Sequence, residues 1–402
     1  MDIGDVPPVR HREVCTAADL GEEPDVTVYD RVAAQASDSV TKVAWFGVTA
    51  TVHAADAALH DYVASQHHLV ETHVPADGVL FDAQIYACTN SPLLEEVYSA
   101  IHAGASYYRE AFQGEWYRCG DLPGAVFAMV ADRPNMSKHA LLTRDFQSWA
   151  IVCQKADELG LAVTRAIREL VREDLLRRGA IMLHAAAART ADGRGLLLVG
   201  ASGSGKTSAA VRIGQSGGLA VGTDRTALVP VGGEWLAVGM PMSIRLGQGS
   251  ASALGVLHAL GARSPIRAHN PFGTATRPEP TLGKEQKLSL SNAEVFELLG
   301  CGFAPATAID TVLVFTNGAH ETPKSTELAS VETAAALREH TFMPDPDYRS
   351  RWLSADPTPE TADGLPAELA AVAGRHHGLL VAWDPVLHCG DDTAEVLVPP
   401  RP

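Results

Sequence analysis

The sequence predicts an α/β protein in which a domain built around a phosphate-binding loop follows a smaller α+β domain. Three observations predict this. An apolar run, Gly195-Leu196-Leu197-Leu198-Val199, leads straight into Gly200-Ala201-Ser202-Gly203-Ser204-Gly205-Lys206-Thr207. Apolar and β-branched runs of strand length alternate with stretches of helical period on both sides of it. A chain of 402 residues is also too long for one small core.

The loop carries the chemistry. Gly200, Gly203 and Gly205 lack side chains, so the backbone of residues 200–208, with Ala201, Ser202, Ser204 and Ser208 between and after them, can curl until its N–H groups face a phosphate. The following helix adds its positive end. Lys206 is the point charge for the β- and γ-phosphates of a nucleotide, and the Thr207 hydroxyl suits Mg²⁺. Residues 208–215, with Ala209, Ala210, Val211 and Ile213, read as the helix after the loop, and Gly217-Gly218 as its stop.

The totals narrow the classes. A net charge of −16, from 48 acidic and 32 basic residues, argues against a broad nucleic-acid or anionic-membrane surface. Apolar residues at 46% and charged residues at 20% are those of a soluble globular chain. Six cysteines without a C-x-x-C pair read as reduced thiols. No run approaches membrane-span length and no leader pattern opens the chain, so a cytoplasmic location is expected.

In chain order, residues 1–40 are polar and read as a lead-in, with a candidate strand at Val26-Thr27-Val28-Tyr29. Residues 41–155 are expected to form the α+β domain and to recognise an acceptor. Its strands are predicted at 43–52, 79–88, 125–130 and 146–152, and Ser91 is the expected N-cap of a helix running to Ala103. His67, His68 and His73 lack the Cys or carboxylate partners of a metal site. Apolar Leu161, Val163, Ile167, Leu170, Val171 and Leu175 predict a bridging helix over 156–179, with Arg165, Arg168, Arg172 and Glu173 on its other face.

Residues 180–402 then form the phosphate-loop domain. A strand at 180–187 carries His184, and an Asp192-Gly193 turn pairs it with the strand feeding the loop. The run 219–224 is a short strand ending in Asp224, the second anchor expected for Mg²⁺. The run 236–246 continues the strand pattern and delivers Arg245. Residues 247–286 read as a long surface excursion that covers the site. A buried strand at 309–315, helices at 332–340 and 366–376, and a last strand at 379–383 complete the pattern.

Taken together, L-H-A-A-A, the hairpin, L-L-L-V-G-A-S-G-S-G-K-T, the helix ending in Gly, the strand ending in an acid and G-x-P-x-x-I-R resemble the HPr kinase/phosphorylase-like family over about residues 176–320. The resemblance implies the fold shared with phosphoenolpyruvate carboxykinase and a site built from His184, Lys206, Thr207 and Asp224. It implies ATP and Mg²⁺ as cofactors, with Thr207 and Asp224 as metal ligands. One position departs: the family shows two successive aspartates where this chain has Thr223-Asp224, so the implied general base is missing. Arg245 is the candidate for stabilising charge on the transferring group.

The expected function is an ATP- and Mg²⁺-dependent kinase acting on a hydroxyl of a peptide, a protein or a small molecule, with catalytic residues Asp224, His184, Lys206 and Arg245. The alternative is a nucleotide-binding regulator or docking protein of the same fold. No nucleic-acid or membrane partner is expected, and a homo-oligomer is left open. The absence of an N-K-x-D signature argues against a guanine-nucleotide switch.

Overall fold

The fold is α/β with mixed sheets. A computed structural model of the chain describes residues 26–36, 39–72, 81–112, 115–132, 137–247, 250–251, 254–255, 287–317, 324–341, 351–354, 365–383 and 397. The excursion expected over 247–286 and His73 lie almost entirely outside the described residues.

Residues 40–153 supply one eight-stranded sheet. Its strands are β1 (Val40–Trp45), β2 (Val48–His53), β3 (Phe81–Thr89), β4 (Ser106–Phe112), β5 (Glu115–Leu122), β6 (Ala125–Ala131), β7 (His139–Thr143) and β8 (Ser148–Cys153). They lie in the order β1-β2-β3-β8-β7-β6-β5-β4. Helices α1 (Val28–Gln35) and α3 (Ser91–Ala103) cover one face through Val32, Leu94, Val97 and Ile101. The other face packs on α2 (Ala57–Gln66) and the long α4 (Ala156–Arg177).

Several expectations change here for local reasons. The strand expected at 26–29 is the start of α1, because Thr27 and Asp30 form a capping box that closes the first turn. The helix expected to begin under Ser91 is capped by Asn90, whose side chain accepts from the Leu93 N–H. The single strand expected at 43–52 is a hairpin. Phe46 and Gly47 both have positive φ (40° and 85°), the conformation a two-residue turn demands. A bulky residue at positive φ is strained, and Phe46 offsets this by being buried, only 1% exposed, against Val171, Leu175 and Met240.

The second half folds as three further sheets. Its strands are β9 (Ile181–Leu183), β10 (Ala186–Arg189), β11 (Gly195–Gly200), β12 (Leu219–Gly222), β13 (Thr226–Val231), β14 (Glu234–Gly239), β15 (Ile244–Gly247), β16 (Lys287–Leu290), β17 (Ala306–Ala308), β18 (Thr311–Asn317), β19 (Lys324–Leu328) and β20 (His377–Trp383). Its helices are α5 (Lys206–Gln215), α6 (Asn292–Leu299), α7 (Ser330–Glu339) and α8 (Leu365–Arg375). The six-stranded sheet runs β12-β10-β11-β18-β20-β19 and the four-stranded sheet β17-β14-β13-β9, while β15 pairs with β16 alone.

Alternation along the six-stranded sheet sorts its side chains into two cores. Leu196, Leu198, Leu313 and Phe315 face α5, whereas Leu197, Val199, Val312 and Val314 face α7, α8 and the four-stranded sheet. The charged residues expected on the face of α4 opposite its apolar stripe are paired and largely buried. Arg165 pairs with Glu115, Arg172 and Arg168 with Glu169, and Arg351 with Glu173, all in a buried or half-buried layer. Burial raises the Glu169 carboxyl, but Arg168, Arg172 and Arg165 outweigh it and hold the group at about 2.

Two histidines in this framework are buried neutral. His139 Nδ1 donates to the Ser137 carbonyl and Nε2 accepts from the Tyr117 hydroxyl, while His67 Nδ1 donates to the Val63 carbonyl. Burial lowers both pKa values to about 4. Because the unfolded chain binds these protons near pH 6.5 and the folded chain does not, stability is full above that pH and is lost as pH falls toward 4. Each site accounts for on the order of 3 kcal/mol of that loss. Urea midpoints at pH 7 and pH 5 check this, and His139→Gln should flatten the difference.

Candidate functional site

The strand β11 ends where the loop begins, because Gly200 (φ 150°) passes so close to β18 that a Cβ there would lie 2.6 Å from the Phe315 carbonyl oxygen. Gly203 (φ 82°) and Gly205 (φ 89°) then take left-handed conformations that bring the chain round to α5. A Cβ on Gly203 would meet nothing, and Ala201, Ser202 and Gly203 are exposed, so the loop faces open space there. No side chain caps α5. Its first-turn N–H groups therefore present a positive end to whatever enters the loop.

Lys206 folds back over the loop, its Nζ donating to the Gly200 carbonyl at 2.6 Å and the Ala201 carbonyl at 3.0 Å. Thr207 Oγ1 donates to the Thr223 carbonyl at 2.9 Å, which ties the start of α5 to the residue just before Asp224. Ser204 Oγ and Ser208 Oγ are buried with no partner among the described residues. Buried hydroxyls normally find one. Open turn, uncapped helix and unpartnered hydroxyls together fit a phosphate chain, and the donor set of Thr207 and Asp224 fits Mg²⁺, which takes one or two carboxylates and keeps phosphate oxygens.

His184 arrives from another direction. The strand expected at 180–187 is two strands: β9 pairs with β13 in the four-stranded sheet, β10 pairs with β11 in the six-stranded sheet, and His184 lies on the step between them. Asp224 lies on the corresponding step from β12 to β13. The two steps run side by side, so His184 Nε2 sits 3.3 Å from Asp224 Oδ1. Each side chain is about a third exposed, at 33% and 34%, so the pair itself adds little stability. Its neighbour Thr223 is buried.

Four of the expected residues are thus gathered: Lys206, Thr207, His184 and Asp224. Arg245 is exposed on the β15–β16 ribbon, and among the described residues no hydrogen bond or ion pair ties it to the other four. Two neighbours were not foreseen. The His340 carbonyl accepts from the His184 N–H at 2.8 Å, and the imidazole of His340 is lowered by burial and then by the charge of Lys206. The Trp383 indole N–H donates to the Ser204 carbonyl at 2.7 Å. Neither had a signal in the sequence, since each comes from an element distant in the chain and carries no spacing relative to the loop.

No family model matches the chain, and no curated protein matches it. One solved structure to which it is similar is the Hpr(Ser) kinase/phosphatase from Coxiella burnetii. Identity is 10%, the match covers 48% of this chain and 88% of that one, and the TM-score is 0.21. A likeness this slight establishes neither a shared family nor a shared activity. No helix among the described residues is long and apolar enough to cross a membrane.

The placement of Asp224 depends on β14. A Cβ on Gly239 would lie 1.7 Å from the Val221 carbonyl oxygen and 3.0 Å from Gly222 Cα, so the two backbones touch directly. Gly239→Ala must push β12 aside at a cost of about 1–3 kcal/mol or more. The expected result is a lowered urea midpoint together with altered amide resonances at Thr223 and Asp224, and a variant as stable as wild type would show that the contact does not fix them.

Proposed function

We propose that the protein is an ATP- and Mg²⁺-dependent kinase that transfers the γ-phosphoryl group to a hydroxyl of a peptide, a protein or a small metabolite. The observation that supports it is the meeting of an open, uncapped glycine loop with the His184–Asp224 pair across the Thr207–Thr223 hydrogen bond. The loop N–H groups and Lys206 hold the phosphates, with Lys206 exchanging the Gly200 and Ala201 carbonyls for phosphate oxygens. Bound Mg²⁺ supplies neutralisation of the charge on the phosphate oxygens. Thr207 and Asp224 are the residues that would hold it. With Asp224 so occupied, His184 is the group for the acceptor's proton, its ring oriented by the carboxylate. Phosphoryl transfer is governed by positioning and charge, so an imidazole suffices where the resembled family has an acid.

A regulator that binds nucleotide without transferring phosphate is the second reading, favoured by one feature. Thr223 is buried and cannot accept a proton at neutral pH, and its carbonyl is committed to Thr207.

Lys206→Ala tests the shared premise. It removes the cation of the loop and should weaken ATP binding by about tenfold or more in calorimetry. Equal affinity would remove the nucleotide from both readings.

Thr223→Asp and Asp224→Asn separate the readings. Asp224→Asn should leave metal-free nucleotide binding intact and abolish the Mg²⁺ dependence of turnover. Thr223→Asp gives a base-deficient enzyme an acid, worth around 10²- to 10⁴-fold, whereas a site that relies on His184 should lose activity to the extra negative charge. Radiolabelled γ-phosphate transfer or release reads both, and if all three proteins bind ATP and none turns it over, the regulator stands.

A further inference from the structure

Trp383 is fully buried at the end of β20, and its bond to the loop has a directional consequence. We infer that Trp383 is a positioning residue that turns the Gly205 N–H toward the phosphate side of the loop, an inference that rests on the nucleotide-binding reading above. The strands register Gly200 against Phe315 and Phe315 against Val381. β11 stops at that rung, but β18 and β20 continue to the rung that pairs Asn317 with Trp383. Side chains alternate along a strand, so Trp383 stands on the same face as Val381 and Leu379, beneath Ala209, Ala210 and Ile213 of α5. There it is stacked on Phe315 with ring centroids 5.3 Å apart.

From there the indole N–H donates to the Ser204 carbonyl at 2.7 Å. The described chain has no cis peptide bond. In a planar trans peptide the C=O of one residue and the N–H of the next point in opposite directions. Holding the Ser204 oxygen down against the core therefore turns the Gly205 N–H outward, to the open side of the loop. The indole is a donor only. A flipped peptide would set N–H against N–H in a buried place and turn a carbonyl oxygen toward the incoming anion. Gly205, at φ 89° and ψ 9°, would allow such a flip at little steric cost. Trp383 is what selects one of the two orientations.

The test uses the full chain with ATP as the probe, titrated by calorimetry. Trp383→Phe keeps an aromatic ring and removes the donor, and should weaken ATP binding between about threefold and tenfold. Val381→Ala loosens the same core without touching the bond, and should lower the melting temperature while leaving affinity unchanged. In ¹⁵N-labelled wild type, saturating ATP should move both the Trp383 indole and the Gly205 amide resonances. If Trp383→Phe binds ATP as tightly as wild type while Lys206→Ala does not, or if Val381→Ala weakens binding as much, the inference is overturned and the nucleotide reading stands. Should Trp383→Phe fail to fold, the indole resonance decides, since one that stays in place at saturation overturns the inference. A wild-type chain that binds no ATP overturns the nucleotide reading itself, and this inference with it.

Discussion

The meeting of His184 with Asp224 depends on one close crossing, where β12 of the six-stranded sheet passes β14 of the four-stranded sheet with no side chain between them. Sheets that pack through side chains lie about 10 Å apart. Here Gly239 and Gly222 remove that spacing, and the chain steps from one sheet to the other within two residues at His184–Ala185 and three at Thr223–Arg225. Thr226 Oγ1 donates to the Ala185 carbonyl at 3.0 Å and locks the two steps together. The His184–Asp224 pair is the geometric result. Wider spacing would separate the steps and leave a histidine and an aspartate on different surfaces.

The same crossing is buttressed from the first half of the chain. The Trp45 indole N–H donates to the Gly239 carbonyl at 2.7 Å, and Trp45 and Phe46 share a core with Leu175, Met182, Val229 and Met240. Farther along α4, Trp352 enters the core of the eight-stranded sheet, stacked on Tyr117 with centroids 5.0 Å apart, while Arg109 donates to the Trp352 and Ser354 carbonyls. The two halves are thus joined by apolar anchors with a layer of buried charge between them. Burying so many arginines and carboxylates is costly unless each is paired. The array of Arg165, Glu115, Arg168, Glu169 and Arg172 meets that condition, and removing one member would strand the others.

What could be read from the sequence was whatever is local. The glycines, Lys206 and Thr207 announce their conformations within a few residues, and the apolar runs at 196–199 and 311–315 can hardly be anything but buried strands. What could not be read was set by contacts between distant segments. Leu183-His184-Ala185-Ala186 is apolar on both sides of the histidine, so nothing in it marks the step from one sheet to the next. The burial of Arg165 and Glu173 on α4 has no local signal, because their partners, Glu115 and Arg351, lie far away in the chain. The turn at Phe46-Gly47 was hidden because phenylalanine is not a residue that a tight turn selects. Its burial, which is tertiary, is what offsets the strain.

On the kinase reading proposed above, the third-exposed His184–Asp224 pair is one that a bound ligand would complete. An exposed pair works at a high effective dielectric, where electrostatic interactions are several times weaker than in a closed site. A nucleotide laid across the loop would both bring charge and exclude solvent. On that reading, the pair would then act on the proton of an acceptor hydroxyl in a drier surrounding than the open site offers. Thr223, buried beside it and bonded through its backbone to Thr207, contributes position rather than charge. An acid at that place would add repulsion against bound phosphates that Lys206 and a bound metal would have to offset. On the kinase reading, a neutral Thr223 leaves proton acceptance to His184 and the anion site less crowded with negative charge.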